Sequence, residues 1–123
     1  MSGVALVVDD DPVSVHLLQI ILERSGYRVI AARSALDGLE LVADLLPDFV
    51  ILDDMMPGMS GGEMCRRMKA DPHLSGIPVI LISAGLRIQD RAYVAASGAD
   101  YALVKPVLPK DVIRAVDTVL GKL

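Results

Sequence analysis

Five short apolar runs divide the chain: Val4–Val8, Tyr27–Ala31, Phe49–Leu52, Pro78–Ile82 and Tyr101–Val104. None alternates with polar residues. The second, which carries Arg28, reads simply as a short strand; the other, uninterrupted runs suit strands buried on both faces, since a half-exposed strand would show period two. The segments between them carry helical spacing instead. Val15, Leu18, Ile21 and Leu22 form one stripe, and Leu36, Leu39, Val42 and Leu46 a second. Met64 and Met68 mark a third helix, and Ile88, Ala92 and Ala95 a fourth. Val112, Ile113, Val116, Val119 and Leu120 mark the fifth. The boundaries carry their own signals. Asp11 precedes Pro12 as a cap, and Ser34–Asp37 and Ser60–Glu63 have capping-box spacing. Gly26, Pro47, Asp71-Pro72 and Gly98 are stops. Strand then helix, five times, predicts an α/β fold with a parallel sheet, right-handed crossovers and helices on both faces. The length fits one domain, residues 1–123.

Composition narrows the function classes. Hydrophobic residues make up 53% of the chain and mean hydropathy is +0.50, which raises the question of a membrane. The longest uncharged run, Pro72 to Leu86, contains Gly76 and Pro78 and is too short to span a bilayer. A sheet covered on both faces accounts for the apolar excess. No membrane segment and no signal peptide are read, and with Cys65 the only cysteine a reducing cytoplasm is the expected setting. A net charge of −4, without clustered lysine and arginine, argues against direct nucleic-acid binding. His16 and His73 have no partner at ligand spacing and are expected to face solvent. The methionines between positions 55 and 68 are expected to pack loops and gaps.

The chemistry gathers at strand ends. Asp9-Asp10 follow the first strand, Asp53-Asp54 the third, Ser83 ends the fourth and Lys105 follows the fifth. Carboxyl ends of parallel strands share one edge, where open α/β sheets place their ligands. With strand order 2-1-3-4-5, strands 1, 3, 4 and 5 are neighbours about 4.8 Å apart, and these groups converge. Close carboxylates repel one another, and an oxygen-only set without histidine suits Mg²⁺ or Mn²⁺. Cation, lysine and hydroxyl together match a dianionic phosphoryl group carried on Asp53.

These stretches resemble the receiver domain of two-component response regulators. The resemblance rests on Val7-Val8-Asp9-Asp10-Asp11-Pro12, Leu52-Asp53-Asp54-Met55-Met56-Pro57-Gly58-Met59-Ser60-Gly61, Pro78 to Ala84 and Gly98-Ala99-Asp100 to Lys105-Pro106, and it covers essentially the whole chain. It implies a flavodoxin-like, doubly wound, five-stranded parallel sheet in order 2-1-3-4-5 with five helices. It implies that Asp53, four residues before Pro57, accepts a phosphoryl group. Asp10 would bind Mg²⁺ directly, Asp9 mainly through water, and the Met55 backbone carbonyl would complete the protein ligands. Ser83 and Lys105 would hold phosphoryl oxygens. The donor would be a sensor histidine kinase or a histidine phosphotransfer protein, the downstream target or output domain is unspecified, and a homodimer would use the fourth helix, fifth strand and fifth helix. Such a chain is a signalling module, not an enzyme, beyond its own phosphorylation and dephosphorylation.

Two positions depart from the family pattern. Ala102 stands where an aromatic usually lies, with Tyr101 expected on the opposite face, and Val107 stands where phenylalanine is usual. Met55 and Gly85, two positions past Asp53 and Ser83, offer no side chain to orient a hydrolytic water, which predicts slow autodephosphorylation. Asp54 is expected to be a solvated loop residue. Two rival readings stand beside the receiver. A phosphatase of the haloacid-dehalogenase type would use Asp9 as nucleophile with Asp11 two residues on. A phosphorylation-independent adaptor would keep the fold alone.

Overall fold

The computed structural model describes residues 3–122. Met1, Ser2 and Leu123 lie outside the described residues. The strands are β1 (Val4–Val8), β2 (Arg28–Ala32), β3 (Phe49–Asp53), β4 (Val79–Ser83) and β5 (Tyr101–Val104). The helices are α1 (Pro12–Arg24), α2 (Ala35–Leu45), α3 (Gly61–Ala70), α4 (Arg91–Ser97) and α5 (Pro109–Val119), with a 3₁₀ turn at Leu86–Gln89. All strand pairs are parallel, in the order β2-β1-β3-β4-β5. This is the predicted topology.

Strand alternation sorts the apolar runs into two core layers. Leu6, Val8, Val50, Leu52, Val79 and Leu81 face the layer completed by Val42, Met64, Met68 and Ile88. Ala5, Val7, Phe49, Ile51, Ile80 and Ile82 face the layer completed by Leu18, Leu22, Val112 and Val116. Every residue of β3 and β4 is buried, which is why neither strand shows a polar position before its end. Tyr101 joins the second layer and Ala102 the first, as alternation requires. Met56, Met64 and Met68 pack inside, and His16 and His73 are exposed.

The helical starts follow their caps. Asp11, Ser34 and Ser60 accept hydrogen bonds from Val13, Asp37 and Glu63 backbone N–H groups. Four expectations about faces and ends need correction. Leu36 is exposed, and Ala35 and Gly38 are buried in its place; at Gly38 α2 comes so close to Val8 and Met64 that even a Cβ would touch them. Leu46 and Ile113 are also exposed. The expected fourth helix through Ile88 is two pieces, because Asp90 accepts from the Ala92 and Tyr93 N–H groups and starts α4 afresh. The inward side of α4 is Tyr93, Val94 and Ser97, with Ala92 and Ala95 exposed.

Candidate functional site

Register brings the predicted residues together. Val8 pairs with Leu52, so Asp9 and Asp53 leave neighbouring strands at the same level. Asp53 pairs with Ile82, and Ser83 pairs with Val104, so Ser83 comes one step and Lys105 two steps further along the same edge. The ladder continues past the strand ends. Asp54 N–H donates to the Ile82 carbonyl at 2.9 Å and Lys105 N–H to the Ser83 carbonyl at 3.0 Å. The Lys105–Pro106 peptide is cis.

Asp9 and Ser83 are fully buried and Asp53 is 4% exposed, whereas Asp10 is exposed. Carboxylate oxygens of Asp9, Asp10 and Asp53 all lie within 4.8 Å of one another. Lys105 Nζ donates to Asp9 Oδ2 at 2.9 Å and stands 3.7 Å from Asp53 Oδ1. Asp9 Oδ1 also accepts from the Asp11 N–H at 3.0 Å. Asp53 is therefore the least compensated of the buried acids. Burial first, then repulsion from Asp9, raise its carboxyl from 3.8 to about 6, against the pull of Lys105 and the Met55 N–H. Burial works against the Lys105 ammonium, but Asp9 and Asp53 outweigh it and raise its pKa.

The donor set fits a hard divalent cation: three clustered carboxylates, no thiol or imidazole, and one member reaching solvent. Burial is the main cause of the upward Asp53 shift and repulsion from Asp9 the second, and a bound cation would oppose both by favouring the ionised carboxylate.

Two features of the loops were not legible locally. Met55 extends over the β4 end, where its thioether occupies the space a side chain at Gly85 would need. Asp54 corrects an expectation: it is fully buried, not solvated. Its Oδ1 accepts from the Gly62 N–H at 2.9 Å and the Tyr93 hydroxyl at 2.6 Å, and its Oδ2 from Arg87 Nη2 at 3.0 Å. The Arg87 guanidinium also lies 4.8 Å from the centre of the Tyr93 ring. These partners are 8, 33 and 39 residues away in sequence, so no local pattern announces them.

Beside Lys105 an open groove of about 290 Å³ runs between α1 and the β5–α5 loop, lined mainly by Val13, Leu17, Leu18, Ala84, Pro106 and Val107. Val13 and Leu17 are exposed at its rim.

Comparison with known proteins agrees with this geometry. The model of the response regulator receiver domain matches residues 5–117, and the chain belongs to that family, whose members are signalling modules. It is 38% identical to the DNA-binding response regulator MtrA of Mycolicibacterium smegmatis over 90% of the chain but only 47% of MtrA. It is 33% identical to protein PilH of Pseudomonas aeruginosa over 94% of the chain and 96% of PilH. The chain thus spans about half the length of MtrA and nearly all of PilH. The receiver domain of a signal transduction histidine kinase from Syntrophus aciditrophicus superposes with a TM-score of 0.86, at 31% identity, over 98% of this chain and 92% of that one. No helix among the described residues is long and apolar enough to cross a membrane.

Proposed function

We propose that this chain is a phosphorylation-dependent receiver in two-component signalling, with Asp53 as the phosphoacceptor. The observation that carries the reading is the unequal compensation of the buried acids. Asp9 is bonded to Lys105 and to the Asp11 N–H, while Asp53 faces the open edge with its charge only partly balanced. An ionised Asp53 oxygen attacks the phosphorus of a phosphohistidine. A P–O bond forms, the P–N bond breaks, and the imidazole nitrogen leaves and takes up a proton. Lys105 neutralises a phosphoryl oxygen and the Ser83 hydroxyl donates to another. Asp9, Asp10, Asp53 and the Met55 carbonyl would hold Mg²⁺, which supplies charge neutralisation at the reacting phosphoryl group.

The donor in this reading is a sensor histidine kinase or a histidine phosphotransfer protein. The apolar groove beside Lys105, with Val13 and Leu17 at its rim, supports an apolar helical docking segment for it. A homodimer through α4, β5 and α5 belongs to the same reading. The phosphatase reading loses support because Asp11, its required second acid, is occupied as the cap of α1, accepting from Val13 N–H and the Ser14 hydroxyl.

Incubation with acetyl phosphate and Mg²⁺ tests the acceptor. The expected product is one acid-labile, hydroxylamine-sensitive phosphoryl group on Asp53. Label on Asp9, or steady turnover of a generic phosphate ester, would overturn the reading. Because Met55 and Gly85 bring no polar side chain to the site, loss of that label is expected to be slow, and a half-life of seconds counts against this account.

A further inference from the structure

The proposed acceptor chemistry leaves a gap: Ser83 can move toward a phosphoryl group, but Ala102 provides no aromatic for that movement to act through. Tyr93 and Ala102 border the same core layer, so α4 supplies an aromatic ring where β5 has none. We propose that Asp54, Tyr93 and Arg87 form a clamp that holds the 3₁₀ turn and α4 against the β3–α3 loop, and that phosphorylation of Asp53 opens it. The opening step rests on Asp53 being the acceptor.

One carboxylate gathers donors from three elements: Gly62 at the start of α3, Arg87 in the 3₁₀ turn and Tyr93 in α4. Its backbone is held equally firmly, with N–H bonded to Ile82 and carbonyl accepting from Met56 and Gly61. The anchor is therefore rigid and lies one peptide from the acceptor. The anchored part is not rigid by itself. With seven residues, α4 is less than two turns long, too short to persist without tertiary bonds. Burial and the bond to Asp54 both raise the Tyr93 phenol, which keeps it a donor.

The lever is the β4 end. Ser83 Oγ accepts from the Gly85 N–H at 3.0 Å, and Arg87 follows two residues later. The Met55 thioether also packs against Gly85, in the space beside Ser83 Oγ that a Cβ would fill. When Ser83 turns to donate to a phosphoryl oxygen, Gly85 must follow it or lose its bond. Either outcome shifts Arg87, and a charge-assisted bond at 3.0 Å tolerates little displacement. With the guanidinium withdrawn from both Asp54 and the Tyr93 ring, α4 keeps only one of its links to the clamp.

The test is amide hydrogen exchange over residues 86–97 in the full chain, with Mg²⁺ and beryllofluoride as the phosphoryl mimic. Acceptor labelling by acetyl phosphate is measured alongside. In the wild type, the mimic is expected to raise exchange in this segment about tenfold, the factor that loss of one hydrogen bond to a charged group carries. Tyr93→Phe is expected to reach that faster exchange without the mimic, to respond to it less than about twofold, and to label on Asp53 as the wild type does. Arg87→Ala, whose side chain is 55% exposed and whose loss leaves the Gly62 and Tyr93 donors on Asp54, is expected to do the same. Wild-type protection in both variants, or an undiminished response to the mimic, would overturn the clamp alone. Absence of label on Asp53 in the wild type would overturn the acceptor reading, and the opening step with it.

Discussion

Asp53 and Asp54 are adjacent in sequence and belong to two regions that differ in how charge is compensated. On the β1 side of the edge, three carboxylates cluster and two of them share one lysine, with Asp53 left 3.7 Å from it. On the α4 side, one carboxylate holds three donors, each within 3.0 Å. Both acids are buried. Burial alone therefore does not separate the proposed acceptor from a structural carboxylate. What separates them is whether donors already occupy the oxygens. Three of the roughly four acceptor sites of Asp54 already hold donors, one of them a guanidinium, whereas Asp53 gains by acquiring a ligand.

Exchanging the two acids breaks this comparison most sharply. Asp53→Asn is expected to abolish acetyl phosphate labelling entirely, while Asp54→Asn retains it; mass spectrometry of the labelled peptides decides. Stability is expected to respond in the opposite sense. Asp54→Ala strands the Tyr93 hydroxyl and the Gly62 N–H, and should cost about 3 kcal/mol in urea unfolding. Asp53→Asn without metal should leave stability unchanged or raise it, by up to about 3 kcal/mol at pH 7, because it removes a buried charge that is only partly balanced.

The pH dependence sharpens the same contrast. The folded chain holds the Asp53 proton up to about 6, whereas the ordinary value is 3.8. Unfolding therefore releases a proton between those values, and the Asp53 contribution makes metal-free stability fall as pH rises through that window. The loss is complete above about pH 6. Asp53→Asn should remove this slope, and millimolar Mg²⁺ should oppose it in the wild type. A wild-type chain whose metal-free stability is the same at pH 4 and pH 7, with Asp53→Asn matching it, would remove the claim that the Asp53 charge is only partly balanced. The smallest expected effect is the loss of one neutral donor to Asp54: Tyr93→Phe should lower global stability by about 1.5 kcal/mol.

The sheet was legible because four of the five strands are unbroken apolar runs that end in a polar group, and strand ends at one edge bring those groups together whatever the loops do. The acid cluster was legible for the same reason. Asp9, Asp53, Ser83 and Lys105 all lie at or directly after strands whose register is dictated by burial. The α4 region was not. Ala92 and Ala95 suggested a helical face, yet small side chains fit inside or outside, and the structure leaves both exposed. Asp90 did carry a cap signal, but the stripe beginning at Ile88 masked it. The clamp lay beyond local reading altogether. A buried aspartate and a solvated one look alike until partners 33 and 39 residues away are placed.

Gly62 makes the clamp a constraint on sequence drift. A Cβ at this position would lie 2.5 Å from the Tyr93 hydroxyl and 3.2 Å from Asp54 Oδ1. Positions 54, 62 and 93 are therefore not free to vary one at a time. A side chain at position 62 would have to displace the Tyr93 hydroxyl from Asp54, and replacing the tyrosine with a smaller residue relieves the closer of the two contacts. Among relatives of this chain, alanine or serine at the position of Gly62 should accompany loss of the tyrosine, a pairing that alignments can count.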